Sequence, residues 1–336
     1  MRTGFAVALR RQFLLLILLS FAALADAAPS LPTQQAFAEQ AVSLAVAGGV
    51  LYGTELLPSA SGKVPVVLLH AGSGPTDRDG NSRMLPGPNN SLRMLAESLA
   101  RNGIASLRYD KRLIGASTAS GWNETDLRFD DYVADAGAWI ARLRADGRFS
   151  RVIVAGHSEG ALIGMLASRA AGADGYVSIA GVARGADEVL RDQLSAKLPP
   201  PLLAANEAIL QQLKQGRPAA DVPPALMALY RPSVQPYLIS WFKYVPRDVI
   251  GTLKMPVLIV QGTSDLQVSV DEARALGAAA PQAQLTIIDG MNHVLKMVGG
   301  DAALQQRSYS SPDLPVSPQL VAAITTFVNA DLAPRR

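Results

Sequence analysis

The chemistry-bearing residues of this chain converge on Gly156-His157-Ser158-Glu159-Gly160, a serine with a glycine two residues to either side. The segment directly follows an apolar run at residues 152–155 and opens a helical pattern through Ala161, Leu162, Met165 and Leu166. Glycines there permit a tight strand-to-helix turn, which would lift the Ser158 hydroxyl above a sheet and aim the next helix's N-terminus at developing negative charge. A hydroxyl is a poor nucleophile until a base takes its proton, and the base needs a group that fixes its tautomer. Three histidines exist: His70, His157 and His293. His157 adjoins the nucleophile and must point elsewhere, and His70 is expected as a loop histidine near the site. His293, in Asp289-Gly290-Met291-Asn292-His293 after the run at 285–288, is the candidate base. The candidate acid is Asp265 in Gly262-Thr263-Ser264-Asp265, after the run at 257–261. Asp271 competes but suits the first turn of a helix, and Asp289 suits a strand-end turn beside Gly290.

Positioning these groups takes a large core. The chain has 336 residues, 49% hydrophobic and 18% charged, which excludes disorder as its main state. Cysteine is absent, so disulfides, a thiolate nucleophile and thiolate-bound zinc are excluded. Arg2, Arg10 and Arg11 precede an apolar run at 13–25 and a small-x-small site, Ala25-Asp26-Ala27, which together read as a cleaved secretory signal over 1–27. Removing it would leave 28 basic and 27 acidic residues, so the excess of Lys and Arg belongs largely to the signal. No basic cluster interleaved with aromatics remains, which argues against nucleic acid and anionic membranes as partners, and cleavage of the signal is expected to leave no stable membrane anchor.

Residues 44–57 alternate loosely and suggest a leading hairpin or pair of strands. Strand-length apolar runs then recur at 64–69, 104–109, 151–155, 176–180, 257–261 and 285–288, read here as buried parallel strands. Helical periods lie between them, as in Leu92, Leu95, Ala96 and Leu99, and in Val133, Ala136, Ile140 and Leu143. Alternation of this kind predicts an α/β fold, a mostly parallel central sheet with helices on both faces and its ligand site at the strands' C-terminal ends. Residues 184–250 break the rhythm. They are punctuated by Pro199, Pro218, Pro223 and Pro232 and contain no convincing strand, so they are expected to form a helical cap between core portions at 28–183 and 251–336. Tyr237, Trp241, Phe242 and Tyr244 are expected either to line an acyl or leaving-group pocket there or to hold the cap to the core.

The order Ser158, Asp265, His293 at successive strand ends resembles the α/β-hydrolase superfamily over about residues 64–332. The stretch His70-Ala71-Gly72-Ser73-Gly74-Pro75-Thr76-Asp77-Arg78-Asp79-Gly80-Asn81, with Arg108-Tyr109-Asp110-Lys111-Arg112, Phe129-Asp130-Asp131-Tyr132 and Asn292-His293, is similar to bacterial serine esterases of the prolyl-aminopeptidase-like, serine-aminopeptidase-type branch. The resemblance implies an oxyanion hole formed by the backbone N–H of Glu159 with that of Gly72 or Ser73, Ser73 being preferred. Leu113 stands where such relatives often have glycine.

Asp77, Asp79 and Asn81 are spaced like the start of a calcium loop, but Gly80 is fourth instead of sixth and Pro88 occupies the twelfth position. Neither a metal nor a dinucleotide fingerprint is therefore expected, and no cofactor. The reading is an exported, periplasmic or secreted, serine hydrolase that cleaves small-molecule carboxylic esters through an acyl-enzyme. A peptidase or amidase of the aminopeptidase-like type is the alternative chemistry, and a catalytically inert binding protein on the same fold is the alternative class.

Overall fold

The computed structural model describes residues 37–330 apart from residue 196, together with the backbone alone of residue 119. The expected signal at 1–27 lies outside the described residues. In chain order the elements are β1 (Phe37–Val46), β2 (Gly49–Pro58), β3 (Val64–His70), α1 (Ser91–Arg101), β4 (Ala105–Tyr109), α2 (Phe129–Ala145), β5 (Phe149–His157), α3 (Glu159–Ala171) and β6 (Gly175–Ile179). There follow, with no strand among the described residues, the α-helices α4 (Ala186–Ser195), α5 (Pro200–Lys214), α6 (Met227–Tyr230), α7 (Gln235–Trp241) and α8 (Pro246–Ile250). The chain then continues through β7 (Val257–Gly262), α9 (Val270–Ala279), β8 (Gln284–Ile288), α10 (Ala302–Ser308) and α11 (Pro318–Asn329).

The strands form one sheet in the order β1-β2-β4-β3-β5-β6-β7-β8. The β1–β2 and β2–β4 pairs are antiparallel, and every pair from β4–β3 through β7–β8 is parallel. Parallel neighbours need crossovers, and the helices that make them cover both faces. The apolar runs lack alternation for that reason: successive residues enter two different cores. Val66, Leu68, Val152, Val154, Val257 and Ile259 face one core with α2, α3 and α9. Val67, Leu69, Ile153, Ala155, Leu258 and Val260 face the other, built with α1 and α11.

β8 departs from the expected buried strand. It closes the sheet as an edge, and Leu285 and Ile287 are 41% and 36% exposed. Its apolar run is short enough that periodicity could not tell an edge strand from a central one.

The aromatics of 184–250 pack on α2. Trp241 stacks on Phe129 at 5.8 Å with the rings 2° from parallel, Tyr244 meets the same ring at 5.6 Å, and Tyr237 lies edge-on to Tyr132 at 5.5 Å. Phe242 is buried in the core shared with α2 and α3. Ser240 Oγ also accepts the Phe129 N–H at 2.7 Å, which satisfies a donor at the start of α2 that the helix leaves open.

Candidate active site

The elbow is built by steric exclusion. A Cβ on Gly156 would stand 2.1 Å from the Gly160 carbonyl oxygen, and one on Gly160 would stand 2.5 Å from that of Ala71. Only glycine lets β5, α3 and the 71–90 loop approach so closely. Between them Ser158 adopts φ 57° and ψ −121°, a positive-φ conformation uncommon for a residue with a side chain. Its N–H donates to Ile179 O and its own carbonyl accepts from Ala161 N–H, both at 2.9 Å. Glu159 begins α3 immediately after it.

Asp265 and His293 meet from two neighbouring loops. The loop after β7 carries Asp265 and the loop after β8 carries His293, and His293 Nδ1 lies 2.8 Å from Asp265 Oδ2. Asp265 is nearly encased. Gln261 Nε2 donates to Oδ2 at 3.0 Å, and the N–H groups of Gln267 and Val268 donate to Oδ1 at 2.7 and 3.0 Å. Burial alone would raise its pKa; the His293 ring and the Val268 and Gln267 N–H groups outweigh it and hold the carboxyl below its usual range. A charged acceptor on Nδ1 sets the tautomer that leaves Nε2 free to take a proton. Among the described residues no hydrogen bond joins Ser158 to His293, a contact that commonly tightens only once substrate is bound.

The competing carboxylates are engaged elsewhere. Asp289 accepts the Thr263 hydroxyl at 2.8 Å, and Asp271 sits in the first turn of α9 paired with Arg274.

His157 does turn away from the nucleophile, and it acts on the base's loop. Its Nε2 donates to the His293 carbonyl at 2.8 Å, and the two rings lie 4.8 Å apart. Burial, and then the neighbouring His293, lower its pKa to about 3, so it stays neutral. His70 is likewise neutral, lowered to about 3 by burial and then Lys111, and packs edge-on against Tyr109 at 5.4 Å.

The Arg108–Arg112 motif grips the 71–90 loop and α2. Arg108 Nε meets Asp79 at 2.7 Å, Asp110 holds both the Arg78 N–H and its guanidinium, Lys111 reaches the Gly72 carbonyl, and Arg112 forms a two-point pair with Asp135 of α2. Asp77, Asp79 and Asn81 brace this loop themselves. Asp77 Oδ1 accepts the N–H groups of Asp79 and Asn81, and Asn81 Oδ1 accepts those of Asn89 and Asn90. Leu113, at the relatives' glycine position, does sit at φ 66°.

Gly72 packs directly on the nucleophile, since a Cβ on it would fall 3.2 Å from Ser158 Cβ. Neither the Ser73 N–H nor the Glu159 N–H has a backbone acceptor among the described residues. A cavity of about 730 Å³ opens beside the Asp265 loop, lined by Leu85, Pro86, Leu266, Ala302 and Tyr309 among others; Ser158 is not in its lining.

Sheet order, elbow and paired loops define an α/β hydrolase, and the chain belongs to that class of fold. Residues 90–235 match the family model described as serine aminopeptidase, S33. Esterase EstD of Thermotoga maritima is 30% identical over 259 residues, which make up 75% of this chain; the chain spans 59% of that relative's length. Among solved structures, Est1E from Butyrivibrio proteoclasticus superposes with a TM-score of 0.55 at 18% identity, covering 85% of this chain and 96% of its own. The Pyrococcus furiosus esterase Pf2001 gives 0.55 at 17% identity, covering 91% and 96%.

Proposed function

We propose that the protein is a serine hydrolase of carboxylic esters, with Ser158 as nucleophile, His293 as general base and acid, and Asp265 as the group that orients His293. The observation that carries this reading is the 2.8 Å contact of His293 Nδ1 with a buried, ionised Asp265, on the sheet edge where Ser158 is held at positive φ. His293 Nε2 takes the Ser158 proton as Oγ bonds to the ester carbonyl carbon, and the oxyanion that forms is met by the N–H groups of Ser73 and Glu159. Collapse breaks the C–O bond to the alcohol, which leaves with the proton from His293. Water, deprotonated by the same base, then frees the acid and restores Ser158.

Esters are favoured over amides because the relatives named above are esterases. The name of the matching family model supports aminopeptidase chemistry as the second reading. Turnover of p-nitrophenyl esters of graded acyl length beside amino-acid p-nitroanilides, by wild type and Ser158→Ala, separates them. The reading requires Ser158-dependent ester turnover exceeding anilide turnover; anilides as the better substrates would make it a peptidase, and no Ser158-dependent turnover would make it a binding protein. We also infer export, on the basic, apolar and Ala25-Asp26-Ala27 pattern at the N-terminus. N-terminal sequencing of the expressed protein, beginning at residue 28, tests it; an intact Met1 in the cytoplasm would refute it.

A further inference from the structure

The Lys111 ammonium is buried between the two segments that carry the oxyanion donors. Only 1% of its side chain is exposed. Its Nζ donates to the Gly72 carbonyl at 2.5 Å, reaches that of Gly74 at 3.3 Å, and stands 3.6 Å from Glu159 Oε2. The Tyr132 ring lies 5.3 Å from the same nitrogen. The other Glu159 oxygen accepts the Tyr237 hydroxyl of α7 at 2.6 Å. One cation therefore touches the loop bearing Ser73 and the first residue of α3, and through Glu159 it reaches the helical segment between β6 and β7.

None of the proton transfers above uses this lysine, and burial lowers its pKa against the opposing pull of Glu159. A buried ammonium is expensive to maintain, which points to a role in geometry. The described chain has no cis peptide bond. In a trans peptide the C=O and N–H point in opposite directions, so drawing the Gly72 carbonyl onto Lys111 turns the Ser73 N–H away from it. A Cβ on Gly72 would fall 3.2 Å from Ser158 Cβ, so this peptide begins at a residue packed against the nucleophile.

We propose that Lys111 is a positioning residue for the oxyanion hole, fixing the Ser73 N–H through the Gly72 carbonyl and the start of α3 through Glu159, and that Tyr237 ties the 184–250 segment to that geometry. The inference rests on the reading of Ser158 as nucleophile. Such a residue should act on the tetrahedral state and leave ground-state ester binding alone.

The test measures kcat and KM for a short ester, inhibition by a trifluoromethyl ketone that forms a tetrahedral oxyanion on the serine, and thermal unfolding. The variants are Lys111→Met, Lys111→Met with Glu159→Gln, and Tyr237→Phe, with Ser158→Ala as control. Removing a whole oxyanion donor costs about 100- to 1000-fold in kcat; misaiming one should cost about 10- to 100-fold, with KM within about threefold and ketone affinity falling by the same factor as kcat. The double variant abolishes the unpaired buried carboxylate, so stability returns while kcat does not. Tyr237→Phe keeps the ring and should lower kcat about 3- to 10-fold at constant KM. A double variant with wild-type kcat, or a kcat loss without loss of ketone affinity, overturns the proposal. If neither lysine variant folds, Tyr237→Phe decides: a change in unfolding temperature alone refutes it. Wild-type turnover by Ser158→Ala would instead overturn the underlying assignment of the nucleophile.

Discussion

Replacing Ser158 with glycine should make the protein more stable than replacing it with alanine. Both substitutions remove the hydroxyl, so both should abolish turnover, but alanine keeps the Cβ that makes φ 57° and ψ −121° costly. Such a conformation stores about 1–3 kcal/mol, and glycine adopts it freely. Against this stands the extra chain entropy glycine loses on folding, about 0.5–1 kcal/mol. The Ser158 N–H bond to Ile179 and its carbonyl bond from Ala161 are backbone bonds that both variants retain, so these hydrogen bonds do not separate them. The net difference is about 1 kcal/mol in favour of Ser158→Gly, or roughly 2 °C in unfolding temperature for a domain of this size. Calorimetry and urea midpoints of the two variants, purified in parallel, measure it. An alanine variant as stable as the glycine variant would show that the elbow stores no strain at the nucleophile.

Stability should fall steeply in acid, because His70 and His157 are held near pKa 3 in the fold and near 6.5 outside it. The unfolded chain binds the extra protons between those values, so each histidine removes up to about 1.4 kcal/mol per pH unit as pH drops from 6.5 towards 3. A urea midpoint that stayed flat from pH 7 to 4 would contradict this. Asp265→Asn should lower kcat/KM by orders of magnitude through the wrong His293 tautomer, whereas Asp289→Asn, whose amide oxygen can still accept the Thr263 hydroxyl, should change it little; the reverse ranking in steady-state assays would misplace the acid. Phe242→Ala should cost about 3–5 kcal/mol of stability and leave the acyl-length profile unaltered, since the ring is buried in the core; a shifted profile at unchanged stability would return Phe242 to a substrate pocket.

Which parts of this molecule were legible in its sequence follows from how far each feature depends on distant contacts. The central strands announced themselves because burial on both faces makes most of their residues apolar, and the elbow because two glycines and a serine between strand and helix leave few alternatives. The pairing of Asp265 with His293 was legible through the same logic, each standing in a loop after an apolar run. Beyond that, local pattern ran out. The sequence left Tyr237 and Trp241 open between pocket lining and cap packing, because nothing near them names Phe129 and Tyr132 as partners more than 100 residues earlier. Lys111 read as part of a motif, yet its contacts with Gly72 and Glu159 span 39 and 48 residues. β1 begins at Phe37, seven residues before the alternation at Leu44 made it visible, because an edge strand tolerates the polar Glu39, Gln40 and Ser43.

The measurement that most directly tests the account is mass spectrometry of the protein quenched during turnover of a slowly deacylated ester, followed by peptide mapping. One acyl group per chain is expected, located on Ser158, which disappears in Ser158→Ala and accumulates more slowly in His293→Ala. Sustained ester turnover with no adduct, or with the adduct on any other residue, would contradict it.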